Sequence, residues 1–314
     1  MIKNFLFNLY MKCCAFKAVG KELFLIKKAS TTERDILLLC HALEKGMSMP
    51  NYTAGRGKEK AEQLDMLLSM ADGNSESYYI SEGKAVLNAY LKIQRSAGLE
   101  LNYQSISGGG TSLRKLAAGT AKIPEGSFCD SYNQMSEFFF KRHSIRCYKK
   151  ATIDKSIIDK IIEIAKTAPS ACNRQVTKVY YSCESQWNNY VGELVPGNKG
   201  FQQNIYNYFV VTTRRDLFGE NEFLQWYVNG GIFLGYLSMA IHSVGLGSCI
   251  FQWPIANKND DRLKKYLGIP ATEAVVAVVS YGIPESTGKI LEAARRNTDE
   301  IGVECFLKQN SEKD

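Results

Sequence analysis

Apolar positions along this chain change texture near its middle. Thr32-Glu33-Arg34-Asp35 leads into Ile36, Leu37, Leu38, Leu39 and Ala42, an N-cap signal followed by an apolar helical face. The pattern resumes over Ala61 to Met70 and Glu82 to Ser96, with the turn-rich, charged stretch Asn51 to Lys60 between. Ser105 to Ser112 carries three successive glycines that suit neither helix nor strand, and a linker is expected between there and about Gly126. Past Asp130, a helix is expected to end at Phe138 to Phe140. A second, capped by Thr152-Ile153-Asp154, carries Ile157, Ile158, Ile161, Ile162 and Ala165 at helical spacing. It must stop by Ala168, because Pro169 disfavours helical geometry in its predecessor. Val176 to Cys183, Tyr208 to Thr213 and Ser248 to Phe251 read as strands. Ala274 to Tyr281 is a continuous apolar run, as in a strand buried on both faces. A long apolar helix from about Glu222 to Val244, interrupted by Gly230-Gly231, and a short one near Lys258 to Tyr266 complete the pattern. The expectation is an α+β fold, with a mostly helical unit at 1–125 and a sheet flanked by helices at 126–314.

Composition narrows the function classes. With 314 residues, two domains are the default, and 45% hydrophobic content excludes wholesale disorder. The net charge of +7 is spread along the chain, so no nucleic-acid footprint is indicated, while anionic cofactors remain compatible. Nine cysteines at irregular positions and the separated His41, His143 and His242 form no zinc-type spacing. No metal site is expected, and scattered cysteines fit a reducing cytoplasm. Met1 to Lys28 mixes apolar residues with lysines and contains no run long enough to span a membrane. A basic amphipathic helix can rest on a membrane surface, but packing of its apolar face on the protein is the favoured reading.

Four patches carry candidate chemistry. Arg142-His143-Ser144-Ile145-Arg146 offers guanidinium groups and a hydroxyl suited to a phosphate monoester, although alone it reads as a solvated basic loop. Pro169-Ser170-Ala171-Cys172-Asn173-Arg174-Gln175 supplies the mixed donors and acceptors that a pyrimidine edge needs, or simply a polar helix-to-strand loop. Gly245-Leu246-Gly247-Ser248 allows close backbone approach to a planar ligand, while a helix C-cap explains Gly245 equally well. Arg295-Arg296 could complete a phosphate clamp or form a solvated turn.

In order and spacing these patches resemble the FMN-dependent nitroreductase family, over about residues 130 to 305. The resemblance implies an α+β fold with a central, mainly antiparallel sheet, an intimate homodimer, and FMN sites built from both subunits. Arg142, His143, Ser144 and Arg146, aided by Arg295 and Arg296, would then contact the phosphate and ribityl end. Pro169, Ser170, Ala171, Asn173 and Gln175 would reach the flavin of the neighbouring subunit. Gly247 and Ser248 would lie by the ring system, with Asn198 a further candidate for the ring edge. Val176-Thr177 and Gln252-Trp253 depart from the family pattern, and the helical first unit has no counterpart in its compact members.

The implied activity is an FMN-dependent oxidoreductase that takes hydride from NAD(P)H and passes electrons to a nitroaromatic, a quinone or a more specialised small-molecule acceptor. The flavin, not a side chain, carries the redox chemistry. Two alternatives stand beside it: a flavin-dependent dehydrogenase or oxidase acting on a biosynthetic intermediate, and a non-catalytic scaffold. In the helical unit, His41-Ala42-Leu43-Glu44-Lys45-Gly46 is the one cluster with functional promise, against a polar helix end with Gly46 as C-cap.

Overall fold

A computed structural model describes residues 12–22, 24, 31–71, 77–107, 116–122 and 131–305. The expected linker falls largely outside these, since 108–115 and 123–130 are not described. In the helical unit, residues 12–22 form α1, followed by α2 (Thr31–Met47), α3 (Lys58–Met70), α4 (Tyr78–Ser96) and the single turn α5 (Gln104–Ser107). Their apolar faces close on one core, where Ile36, Leu64, Leu68, Leu87 and Tyr90 are fully buried. Gly46 lies inside α2 rather than capping it, because the helix runs on to Met47.

The second unit is built on four antiparallel strands: β1 (Thr177–Tyr180), β2 (Tyr208–Arg214), β3 (Gly247–Gln252) and β4 (Glu273–Gly282), in the order β1-β2-β4-β3. The continuous apolar run is the inner strand β4. One cluster packs the sheet against α7 (Lys155–Ala165) and the long α9 (Gln225–Ser243). A second cluster joins it to α8 (Ser185–Leu194) and α10 (Asp260–Leu267). Such burial on both faces explains why β4 lacks alternation. α6 (Tyr132–Lys141) precedes them, its N-terminal amide of Gln134 capped by the Ser131 hydroxyl. The α+β expectation holds. α8 is the one helix of this unit that the apolar pattern did not announce; its sequence, SQWNNYVGEL, is polar apart from a few anchors.

Apolar packing and ion pairs seat the helical unit on the sheet unit. Leu37 of α2 shares a small core with Val176, Phe218 and Trp226. Arg214, at the end of β2, pairs with Glu33 at 2.6 Å and with Asp216. In α1, Glu22 pairs with the buried Arg215, and Lys21 reaches Asp261 at 2.8 Å. Thus α1 is held by ion pairs, while Phe16 and Phe24 remain exposed. Phe5, Leu6, Leu9 and Leu23, the other apolar residues behind the packing expectation for this segment, lie outside the described residues. No helix among the described residues is long and apolar enough to cross a membrane.

Candidate functional site

The first and third patches are joined through the backbone. After α6 ends at Lys141 the chain runs alongside β3, where Ser144 forms a parallel bridge with Ser248 and the Ile145 amide donates to the Ser248 carbonyl at 2.9 Å. This pairing requires a glycine. A Cβ on Gly247 would lie 2.6 Å from Ile145 Cγ1, closer than packed carbons approach. Gly245 serves a different purpose. It closes α9 in a left-handed conformation (φ 79°), donating to the His242 carbonyl while Leu246 donates to that of Ile241. The C-cap reading is realised at Gly245, and the close approach at Gly247 is to Ile145 of the same chain.

Two clefts flank this run. Arg142, His143, Gly247 and Ser248 line a cavity of about 210 Å³, together with His242 at the end of α9. Arg146 lines the neighbouring cavity of about 320 Å³ with Pro196, Gly197, Cys249 and Gln252. Both arginines are half-buried, and neither forms an ion pair among the described residues. Among the described residues, the guanidinium of Arg146 reaches the Ser144 carbonyl, at 3.5 Å. Burial pushes the Cys249 thiol up, with Arg146 and Ser144 pulling against it. Burial also lowers the His242 imidazole, against a contact with the Phe138 carbonyl, and the charges of Arg142, His143 and Lys141 add to the lowering. His143 and His242 share one cavity, which their separation along the chain gave no reason to expect.

The second patch is a strained loop. Cys172, Asn173 and Gln175 all have positive φ, near 50°, a conformation that L-residues keep only when their surroundings impose it. Arg174 supplies the constraint. It is 1% exposed, forms two hydrogen bonds to Glu222 at 2.7 and 3.1 Å, and lies over the Phe218 ring at 4.7 Å. The Ala171 amide donates to Asn229 at 2.7 Å and the Gln175 amide to the Ser170 hydroxyl at 3.0 Å. Pro169, Ser170 and Gln175 line a small cavity of about 90 Å³. The side chains of this loop also turn toward the helical unit: Gln175 donates to the Tyr78 hydroxyl at 2.6 Å, and Asn173 approaches Glu82 at 3.5 Å.

Other candidates lie apart. Asn198 is buried and donates to the Gly192 carbonyl at 2.7 Å, so Pro196 and Gly197 represent its loop in the second cleft. Trp253 also faces inward, donating to Asp260 at 2.9 Å, whereas Gln252 lines that cleft. Arg295 and Arg296 are exposed and reach only nearby carbonyls, those of Ala293, Ala294 and Glu300. Neither lines the Arg142 cavity. Among the described residues, no group of three His, Cys, Asp or Glu side chains could hold a metal ion.

Residues 140–196, which contain the first two patches, match the Nitroreductase family. Over that segment the chain is nitroreductase-like. Its helical N-terminal region is an addition to that unit. A Thermus thermophilus protein named NADH dehydrogenase is 25% identical over 180 residues, covering 47% of this chain and 85% of its own. Among solved structures, the FMN-dependent nitroreductase of Clostridium difficile R20291 is 22% identical, with a TM-score of 0.46 over 54% of this chain and 98% of its own. A Desulfovibrio desulfuricans protein solved in complex with FMN is 19% identical, with a TM-score of 0.48 over 56% and 99%. The NfrA2 structure of Bacillus megaterium is 17% identical, with a TM-score of 0.49 over 57% and 76%.

Proposed function

We propose that this nitroreductase-like chain is an FMN-dependent oxidoreductase whose cofactor phosphate is held by the Arg142–Arg146 run. One observation carries the reading. Two half-buried guanidinium groups without carboxylate partners among the described residues flank a backbone segment that has been brought against β3 at Gly247. Burying cations unpaired is costly, and a phosphate dianion offsets that cost with charge-assisted hydrogen bonds. When bound, FMN supplies the redox chemistry, accepting hydride from NAD(P)H and delivering electrons to an organic acceptor.

The chain's own residues would bind and orient. Arg142, His143, Ser144 and Arg146 neutralise the phosphate end, and Gly247 and Ser248 border the cavity beside them. Gln252 borders the cleft open to a substrate. The functional unit is 126–314, and it works as a homodimer. The apolar stripe Val228, Ile232 and Tyr236 on α9 stands exposed at helical spacing, and Ile290, Leu291, Ile301 and Val303 in the C-terminal tail are exposed as well. A second copy covers these faces, and its loop at Pro169–Gln175 completes each flavin site. Through the same tail, Arg295 and Arg296 reach the phosphate in the assembled dimer.

The test is an absorbance spectrum of the purified chain titrated with FMN, then anaerobic reduction by NADH and by NADPH separately. A flavin band at one equivalent per chain, bleached by either nicotinamide, is expected. In the Arg142→Ala/Arg146→Ala double variant, FMN affinity should fall by at least about 100-fold, two charge-assisted contacts being lost. Absence of a flavin band in the wild-type chain would overturn the assignment.

A further inference from the structure

A separate cavity lies in the helical unit, remote in sequence from the Arg142 clefts and sharing no residue with them. It has a volume of about 710 Å³, within the range of small-molecule sites. Its cations come from three segments. His41 and Lys45 stand one turn apart on α2, Arg56 lies in the turn at 51–57, and Lys58 and Lys60 begin α3. Among the described residues, Glu59 is the one acid lining it. Lys45, Arg56 and Lys60 have no ion-pair partner among the described residues, and Lys58 reaches Glu62 only at 3.8 Å.

The wall that carries Arg56 is built, not loose. Gln94, fully buried in α4, accepts from the Gly55 amide at 2.6 Å and donates to the Tyr52 hydroxyl at 2.5 Å. That hydroxyl in turn donates to the Arg56 carbonyl at 3.3 Å. A buried amide thus pins the turn from two sides and fixes where Arg56 and the start of α3 stand. The remaining surface includes Ala42, Leu43 and Met49, an apolar floor beside the charges. A solvated basic patch needs neither the concavity nor the buried anchor.

We propose that this cavity binds a phosphate ester, with the phosphate or pyrophosphate held by Lys45, Arg56 and Lys60 and the organic part resting on the apolar floor. Cations at separate positions around a concave site suit an anion carrying more than one charge, and strong ionic-strength dependence follows. The inference stands on the helical unit alone and does not depend on the flavin reading.

Calorimetric titration of the full chain, saturated with FMN if it binds, tests it. The probes are inorganic phosphate, inorganic pyrophosphate and ADP, at low and at high salt. ADP should bind more tightly than either inorganic ion, and its affinity should fall as salt rises. The Lys45→Ala/Arg56→Ala double variant should lose at least about 10-fold in ADP affinity, both side chains being exposed and their loss leaving the fold intact by circular dichroism. Arg142→Ala should leave ADP binding unchanged, which separates this cavity from the flavin clefts. Several results would overturn the proposal: no heat with any probe, undiminished binding in the double variant, loss of binding in Arg142→Ala, or pyrophosphate binding more tightly than ADP.

Discussion

The Ile145 amide donates to the Ser248 carbonyl at 2.9 Å, and this hydrogen bond is part of the Ser144–Ser248 bridge that sets the Arg142–Arg146 run against β3. Its neighbours show how close the approach is. Tyr148, three residues on, donates its hydroxyl to the Ile145 carbonyl at 2.6 Å and shares a second contact with the Ser280 hydroxyl at 2.9 Å. The run is thereby tied to both β3 and β4, so its two arginines project from a fixed backbone rather than from a loop.

Gly247→Ala is expected to break this arrangement. The added methyl would sit 2.6 Å from Ile145 Cγ1 and 2.8 Å from its Cβ, so the run must move off the strand. Overpacking of this kind costs about 1–3 kcal/mol. A lowered thermal midpoint should accompany weakened FMN binding, and adding Ile145→Ala should restore part of both. Unchanged FMN affinity in the single variant would show that the run does not depend on this contact.

Arg174 should matter more for loop shape than for any ligand. Its removal leaves Glu222 without its two charge-assisted hydrogen bonds and frees a loop with three positive-φ residues. Breaking a buried pair costs a few kcal/mol, and because Glu222 is 29% exposed the lower part of that range, about 2–3 kcal/mol, applies to Arg174→Ala. Burial raises the Glu222 carboxyl, but Arg174 and the Gly219 amide outweigh it, and the net shift is downward. The stabilisation is therefore present above the ordinary carboxylate range and lost as pH falls through the lowered value. In denaturant titrations, the gap between wild type and Arg174→Ala should narrow in acid.

Glu82 gives the opposite slope. Burial pushes its carboxyl up to about 7, with Tyr78 pulling against it and Glu44 adding to the rise. An acid raised on folding costs stability as pH climbs from its unfolded value of 4.5 toward about 7, and the cost is constant above. Glu82→Gln removes that cost, so its gain over wild type should grow across this window to roughly 1–3 kcal/mol near neutral pH. Because Glu82 lies beside Asn173, amide exchange in the loop at 170–175 should slow in the variant as well. A pH-independent difference would show that the carboxyl is not buried in the neutral form.

Much of the scaffold was legible because burial leaves a periodic trace. The α7 isoleucines and the unbroken β4 run, AVVAVVSY, state their partners on one face and on two. The four patches were legible as chemistry but not as geometry. Sequence order could not reveal that Arg142 and Arg146 line adjacent clefts, or that Asn198 turns inward to Gly192, since both follow from the register of one bridge and one turn. Arg174–Glu222 was missed for a similar reason. The two residues are 48 positions apart, and each looks like an ordinary surface charge until the fold buries the arginine. The boundary near residue 125 falls within the undescribed stretch 123–130.

The exposed face of α9 supplies the last prediction. Val228, Ile232 and Tyr236 are 52%, 39% and 40% exposed, and they recur every four residues along one side of a helix whose other side is buried on the sheet. An apolar stripe of this kind is costly to leave in water, and in the proposed homodimer a second copy would meet it with the same stripe in an isologous contact. Ile232→Asp places a charge in the middle of that contact on each copy, so the two charges face one another across it. Since the side chain is not part of the monomer core, the variant should fold with an unchanged far-ultraviolet spectrum. It should elute from a sizing column as a monomer where the wild type elutes as a dimer. FMN should be lost with the dimer, because the Pro169–Gln175 loop and the tail of the second copy are proposed to complete each site. A monomeric variant that keeps full FMN affinity would place the whole flavin site within one chain, and the role assigned to that loop would then fall.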